Sequence, residues 1–563
     1  MSAARGAAVA GAGAFAAYAL TAPRDILWGD GLELASVASH FGVAHPPGYP
    51  LYALLGGGWL TVSGGALPPY AALALLNCLF AAFAAALLGL LGASLWARHR
   101  APGTPGAAGW TAGLLTAAAA LLRSFWESGT IVEVYALGAM LGAGFLLVLA
   151  EDGARLSARR FLLAGILLGC LAANHLPSVS VALVLAARAI QLRRAGRSAW
   201  PPLAAAALAV TVAALLYGTL LVSAGREGRR IAWGGTSNLP ALLAHARGGE
   251  YSRALLRPAR LDRRLTAREF AHFASARAWE LAGAASTQLS RAAVPGAILA
   301  SLVLGLGASA LWPRDPVLVL ASAGAAGAQT AFLFLYVIPD FQDYLLGIVV
   351  ASSPVWLAGA ASMLDLVIEW ARRPGRPMIA GIAAGALAAS TAIGNGSASL
   401  ARNAELDARP WLDRALAALP EGAAVLTHGD ADTYALWYAA LAERSRPDLL
   451  VIGTNFLRFP WFARTLPREH PAAGVVRFEA AGPPLGPGAF ASLVERQAIR
   501  PLLGAGDVFM MEPDGIVGPI WFERFRPEPV AVLLTPQELE TLLSAGRGVP
   551  PPRLFRIPAA ATP

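Results

Sequence analysis

Residues 70–97 read YAALALLNCLFAAFAAALLGLLGASLWA, a run that carries no Asp, Glu, Lys or Arg. As a helix rising about 1.5 Å per residue it is longer than the roughly 30 Å of hydrocarbon in a bilayer, which about 20 apolar residues cross. The run therefore reads as a membrane span, and it is not isolated. Outward from it, apolar stretches fall near 7–23, 108–123, 131–150, 161–174, 176–192, 202–224, 292–312, 316–338, 344–366 and 377–394. Together they predict an α-helical polytopic membrane protein with about 11 transmembrane helices. The stretches 108–123 and 161–174 are short for a crossing, and 46–63 is apolar enough to lie in the interface or re-enter.

Composition supports this class. Of 563 residues, 56% are hydrophobic and 14% charged, with mean hydropathy +0.54, which is too apolar for a soluble protein. A net charge of +9 would suit nucleic acid, but all 44 basic residues are Arg and they concentrate between apolar runs, so they are a topology signal first and no nucleic-acid partner is expected. The short connections holding Arg98 and Arg100, Arg155 to Arg160, Arg193 to Arg197, Arg314, and Arg372 to Arg376 carry most of the short-loop cations. The alternating connections at 24–65, 123–130, 174–176 and 339–343 carry only Arg24 and Arg123. The positive-inside rule makes the first set cytoplasmic, which puts the N-terminus inside and the tail after Asn395 outside. The segment 225–291 also falls outside, although it exceeds the length over which the rule applies. The expected location is a bacterial-type inner (plasma) membrane. The first apolar run is read as a retained span, since the acidic segment after it must be held at the membrane. Cys78 and Cys170 lie inside apolar runs without C-x-x-C spacing, so neither a disulfide framework nor a structural metal is expected.

The chain divides near residue 394. Residues 1–394 form the membrane domain, with outer loops 24–65 and 225–291, and 395–563 read as a soluble α/β domain outside the membrane. In the tail, Ala423 to Thr427 and Leu449 to Gly453 are short apolar strands separated by a helix over Tyr434 to Glu443. Val508 to Met511 and Val530 to Leu534 are further strands, and the Pro-rich end from Val549 reads as loose.

Chemistry is expected where polar residues sit beside these spans, because ionisable groups at a membrane are costly to keep without a use. The first outer loop holds Asp30, Glu33, His40 and His45. Asp30 and Glu33 are three apart and share a helix face. They can take a proton from an attacking hydroxyl or hold a divalent cation with waters, and they equally fit a capping pattern with Asp30 as N-cap. The run His45-Pro46-Pro47-Gly48-Tyr49-Pro50 cannot be regular helix and fixes His45 and Tyr49 in a turn. Further along come Trp126, Glu127, Glu133 and Tyr135, then Asn174 and His175 in a tight hairpin, and Asp340, Gln342, Asp343 and Tyr344. By topology the whole set falls on one side of the membrane. Glu133 lies within apolar sequence and needs a partner or a water-filled cavity. The segment 225–291 is rich in Arg, whose forks suit phosphate oxygens of a headgroup or of a phosphorylated lipid substrate. Its Trp233-Gly234, His245 and Tyr251 could line a sugar site. In the tail, His428 to Thr433 follows a strand and precedes a helix, where α/β layers bind ligands, although Asp432 or Thr433 also suits an N-cap. No G-x-G-x-x-G fingerprint, Walker loop or G-x-S-x-G elbow stands at a usable position, so nucleotide hydrolysis and serine-hydrolase chemistry have no support.

Taken together, G-D-x-x-E-L, A-H-P-P-G-Y-P-L-Y, F-W-x-x-x-x-x-x-E-V-Y, N-H-L, the W-G loop and the tail G-D-x-D-T-Y-x-L-W-Y with R-P-D-L-x-V-I resemble one polytopic family over about Asp25 to Leu466. It is the family that includes the endoplasmic-reticulum enzyme mannosylating plexin-type (IPT) domains. The family commonly shows D-S-G-E; here Gly31 and Leu32 replace the middle pair and both acids remain. The resemblance implies a GT-C-type glycosyltransferase with an outer-face active site and a polyprenyl-phosphate sugar donor, possessing no nucleotide-binding motif for that reason. It implies Asp30 as general base with Glu33 assisting or orienting, and Arg residues of 225–291 against the lipid phosphate. His45, Tyr49, Trp126, Glu127, Glu133, Tyr135, Asn174, His175, Trp233, His245, Tyr251, Asp340 and Tyr344 would be substrate-binding. Asp430, Asp432 and Trp437 would meet the acceptor, a protein or glycan hydroxyl. No cofactor is certain, and a divalent cation is open. Two other classes remain: a transporter or flippase of a lipid-linked glycan, and a non-catalytic membrane-anchored binding protein.

Overall fold

The computed structural model describes all residues except 1, 100–106, 227–230, 250–266, 289–292, 337–340, 374–375, 470–473, 475, 477–485, 514–517, 545–548 and 560–563. Eight described helices are long and apolar enough to cross a membrane: Ala3–Thr21, Pro69–Arg98, Leu176–Arg194, Trp200–Gly225, Val294–Leu311, Pro316–Leu335, Ser353–Ala371 and Arg376–Glu405. The predicted spans near 108–123, 131–150 and 161–174 are helices Ala107–Ala120, Tyr135–Val148 and Ala158–Ala172, of 14, 14 and 15 residues. They are the ones too short to cross unaided. The chain is thus a polytopic helical membrane protein with a small sheet near its C-terminus.

Contacts group the chain into two compact units. The first contains Met1–Ala22, Ala74–Leu216 and Tyr251–Ala401; the second contains Pro23–Leu73, Tyr217–Glu250 and Arg402–Pro563.

In the first unit, small residues let helices approach to backbone contact, as is usual where lipid gives no hydrophobic drive to association. A Cβ on Gly6 would sit 1.8 Å from the carbonyl of Gly109, and one on Gly359 would sit 1.8 Å from that of Val303. Beside these apolar crossings lies a polar clamp. Arg188, fully buried, donates to Asp315 at 2.7 Å, to Gln191 at 2.8 Å and to the Leu149 carbonyl at 2.9 Å. A buried guanidinium is tolerable only with such a complete set of acceptors.

The second unit is built on a five-stranded mixed sheet in the order β2-β1-β3-β5-β4, with β1 Ala424–Thr427, β2 Leu450–Gly453, β3 Val508–Met511, β4 Glu528–Val532 and β5 Arg553–Ile557. β1 lies parallel to both β2 and β3, while β5 runs antiparallel to β3 and β4. Strands β1, β2 and β3 are almost wholly buried, which their unbroken apolar runs anticipate. Two expectations shift. The strand read at Val530 to Leu534 starts two residues earlier, with a register break between Pro529 and Ala531. The end read as loose is instead ordered: Leu554, Phe555 and Ile557 of β5 are buried against the sheet. The prolines that suggested disorder precede the strand, where no ladder donor is lost.

The remaining parts of this unit pack around the sheet. The Gly31–His40 helix packs against the Asp430–Trp437 helix and the turn Tyr438–Ala442 that continues it. Arg409 ties the ends together, donating to Asp25 at 2.8 Å and to Glu443 at 2.8 Å. Trp28 meets Trp411 edge to face at 5.4 Å.

Candidate functional site

Asp30 stands at the N-cap position of the Gly31–His40 helix, but its side chain makes no capping bond. The capping pattern therefore does not account for the Asp30–Glu33 pair. Glu33, in the first turn and 0% exposed, turns its carboxylate toward the next segment instead. That segment folds back because the Gly48 N–H closes on the His45 carbonyl at 2.8 Å, with Gly48 at φ +101 and Tyr49 at φ +42. A φ of that sign is easily met by glycine and is uncommon for tyrosine. Pro50 then opens the helix Pro50–Ser63, which is where the apolar stretch 46–63 goes.

His45 lands over the first turn of the preceding helix. Its backbone N–H donates to Glu33 Oε1 at 2.8 Å, and its ring Nδ1 lies 2.5 Å from Glu33 Oε2. One buried carboxylate thus fixes both the main chain and the ring of His45. The acceptor at Nδ1 assigns the proton to that nitrogen and turns Nε2 outward. Nε2 lies 3.7 Å from Asp30 Oδ2, and the Asp30 side chain is 50% exposed. An imidazole is therefore held between a buried acid and an accessible one. Tyr49 meets the ring edge to face at 5.1 Å, and Trp233 at 6.4 Å.

The segment around Trp233 braces this turn. Val43 and Ala232 form a parallel bridge, His40 Nε2 accepts the Ile231 N–H at 3.0 Å, and His245 Nε2 donates to the Ala44 carbonyl at 3.0 Å. His245 is buried, and burial, with a smaller push from His45, takes its pKa down to about 4 against the raising effect of the Ala44 bond. It is a neutral strut. Trp233 is buried against Phe456 and Trp461, each at 5.1 Å. The sequence reading did not single out these two aromatics; the signal was T-N-F-L-R-F-P-W-F just past the carboxyl end of β2.

The tail brings a further acid. In the strand order, the chain leaves β1 for β2 on one side and crosses to β3 on the other, so the carboxyl end of β1 is a switch point, where α/β sheets open a crevice. His428, Gly429 and Asp430 occupy it. Both Asp432 oxygens accept backbone N–H groups, of His428 at 2.9 Å and Gly429 at 2.8 Å, and the residue is fully buried. Asp432 thus shapes the turn. Asp430, at the start of the helix, keeps a solvent-facing side but has protein close on its other flanks. That burial, and then the charge of Asp30, push its carboxyl up to about 6 against the opposing effect of His45. Trp437 is buried in a stack with Tyr434 and Phe456.

The other expected residues form a separate group in the first unit. Asn174 donates to the Val134 carbonyl at 2.9 Å, and His175 Nδ1 pairs with Ser178 Oγ at 2.8 Å. The rings of Tyr135, His175 and Tyr344 lie 5.1 to 5.2 Å from one another. The carbonyl of Glu133 is held by buried Asn77, a polar residue within the long 69–98 span that was not flagged. Glu127 pairs with Arg123 at 2.6 Å, and Trp126 donates to Thr21 Oγ1 at 3.0 Å. Tyr251 and Asp340 lie outside the described residues. Among the described residues, no three His, Cys, Asp or Glu side chains are grouped to hold a metal ion.

Two family models match this chain. The first, described as Protein O-mannosyl-transferase TMEM260 N-terminal domain, covers residues 30–197; the second, TMEM260-associated domain 2, covers 409–479. Over these segments the chain is similar to the TMEM260 family. A Mus musculus protein named Protein O-mannosyl-transferase TMEM260 is 44% identical over 88 residues, a stretch that is 15% of this chain and 12% of that protein. The family segments start at Asp30 and at Arg409. Asp30, Glu33 and His45 come from the first, and Asp430 and Asp432 from the second. Trp233 and His245 lie outside both.

Proposed function

We propose that the chain is a GT-C-type membrane glycosyltransferase that moves a sugar, mannose by the name of the TMEM260 relative, from a polyprenyl-phosphate donor to a hydroxyl of a protein acceptor. The active site would face outward in a bacterial-type inner membrane, with the N-terminus cytoplasmic and residues 395–563 forming an extracytoplasmic domain. The single observation behind this reading is His45 held between buried Glu33 and half-exposed Asp30.

Transfer forms a bond from the acceptor oxygen to the anomeric carbon and breaks the bond from that carbon to the lipid phosphate. The acceptor hydroxyl must lose its proton as it attacks. Asp30, accessible and without a capping duty, takes that proton as general base. Glu33 does not touch substrate; it sets the ring orientation and Nδ1 proton of His45, which leaves the Nε2 lone pair facing Asp30 and able to accept the proton that Asp30 takes up. Asp430, at the tail's crevice and within charge range of Asp30, is placed to meet the acceptor. The leaving lipid phosphate gains charge, and Arg residues of 225–291 would stabilise it as it develops.

The test is transfer of labelled sugar from a panel of polyprenyl-phosphate donors to endogenous acceptors, in membranes bearing the wild-type chain or Asp30→Asn. Transfer by the wild type and its loss in the variant, with equal protein in the membrane, is the expected result. Full transfer by Asp30→Asn would remove Asp30 as base. No transfer with any donor, while the purified chain moves a lipid-linked glycan between leaflets, would replace the enzyme reading with a transporter.

A further inference from the structure

The first unit holds a cavity with polar groups that no step of the proposed transfer uses, although the sequence reading offered two of its lining residues, Trp126 and Glu127, to the substrate. About 520 Å³ in volume, it lies among Arg123, Glu127, Gln288, Ser390, Thr391 and Asn395, with Leu387 at one end. The last three polar residues belong to the span Arg376–Glu405, whose apolar window has no residue buried within the protein. A span so placed faces lipid, and polar side chains there need a polar occupant or a backbone acceptor. Thr391 donates to the Leu387 carbonyl at 2.9 Å, and Asn395 to the Leu121 carbonyl at 2.9 Å. The second bond sets residue 121 beside Asn395, so the charged end of the cavity, at Arg123 and Glu127, is the Asn395 end and Leu387 marks the apolar end. Between Leu387 and Ala398 the helix climbs about 16 Å, close to the roughly 15 Å of hydrocarbon in one leaflet.

The charges narrow the occupant. Arg123 Nε meets Glu127 Oε1 at 2.6 Å, and both side chains are partly exposed, at 41% and 29%. The pair has no net charge. An anionic headgroup would gain the guanidinium fork but stand against the carboxylate, whereas a zwitterion satisfies both ends. A quaternary ammonium is bound by several aromatic faces, and among the described residues the one ring in this lining, Trp126, is 3% exposed. A primary ammonium instead donates hydrogen bonds, which a carboxylate and amide oxygens accept.

We propose that this cavity binds a zwitterionic phospholipid with a primary-ammonium head, its phosphate on Arg123 and its ammonium on Glu127. The inference stands independently of the transfer reading. It is tested by native mass spectrometry of the purified full chain equilibrated with equimolar phosphatidylethanolamine, phosphatidylcholine and phosphatidylglycerol. The wild type is expected to retain the ethanolamine lipid about fivefold or more over either of the others. That preference should vanish in Glu127→Gln, and in Ser390→Leu with Thr391→Leu, which fills the cavity while leaving the ion pair intact. Equal retention of the choline or glycerol lipid would overturn the proposal. So would displacement of the ethanolamine lipid by a polyprenyl-phosphate sugar, which would give the cavity to the donor.

Discussion

Replacing Glu33 with Gln tests the arrangement that supports the proposed chemistry. Gln keeps the volume and one carbonyl oxygen, so the His45 backbone N–H, now at 2.8 Å from Glu33 Oε1, retains an acceptor. What changes is the second oxygen, 2.5 Å from His45 Nδ1, whose place is taken by an NH₂ group facing an N–H. One hydrogen bond to a charged group is lost, a contribution of about 1.5–3 kcal/mol. If all of it acts in the transition state, at about 1.4 kcal/mol per tenfold, transfer slows about 10- to 150-fold. If the ring also settles in the wrong tautomer, the loss approaches the roughly 10⁴-fold seen when an orienting acid becomes an amide. Folding should be spared, because the substitution removes a fully buried charge rather than leaving one uncompensated. The assay is the initial rate of labelled-sugar transfer at equal membrane protein content, with monodispersity checked after extraction. His45→Asn and the double variant complete a cycle: residues acting as one unit should give a double variant about as slow as the slower single one. A Glu33→Gln protein that transfers within about twofold of wild type would refute the reasoning, as would fully additive losses.

Two further outcomes are expected. The Asp430 carboxyl is pushed up to about 6 from an ordinary 3.8, so the folded chain holds this proton more tightly than the unfolded chain; its contribution to stability is fully present below about pH 4 and falls as pH rises to about 6. Wild type should therefore lose thermal stability relative to Asp430→Asn across that window, and a difference that does not vary with pH would count against the assignment. In the membrane unit, Gly359→Val puts side-chain atoms into the Val303 carbonyl, 1.8 Å from a Cβ, so the helices Ala293–Leu311 and Ser353–Ala371 must separate. The yield of monodisperse protein should drop sharply, while Gly381→Val, with open space at its Cβ, should express like wild type.

The class of the protein was legible in the sequence because the bilayer imposes it residue by residue: a run such as 70–97 has no other favourable environment, whatever its neighbours do. The strands β1, β2 and β3 were legible for a similar reason, being short unbroken apolar runs buried on both faces. β5 was not, because three prolines before it carry the local signal of a loose end and only pairing with β3 and β4 makes it a strand. The candidate site shows the same division. Sequence spacing named Asp30 and Glu33 as acids able to take a proton, the family resemblance offered His45 to the substrate and Asp430 to the acceptor, and the turn at Pro46 to Pro50 required that His45 be held somewhere definite. Which acid is buried and which is accessible, that Glu33 serves His45 while Asp30 faces outward, that Asp432 is spent on its own backbone and His245 on the Ala44 carbonyl, were decided by tertiary structure alone. The His245 bond to Ala44 joins segments 201 residues apart, and the burial of Glu33 comes with the packing of its helix on the distant Asp430–Trp437 helix; the Glu33–His45 and Asp432–Gly429 pairs are close in the chain, but no spacing pattern says which way those side chains turn.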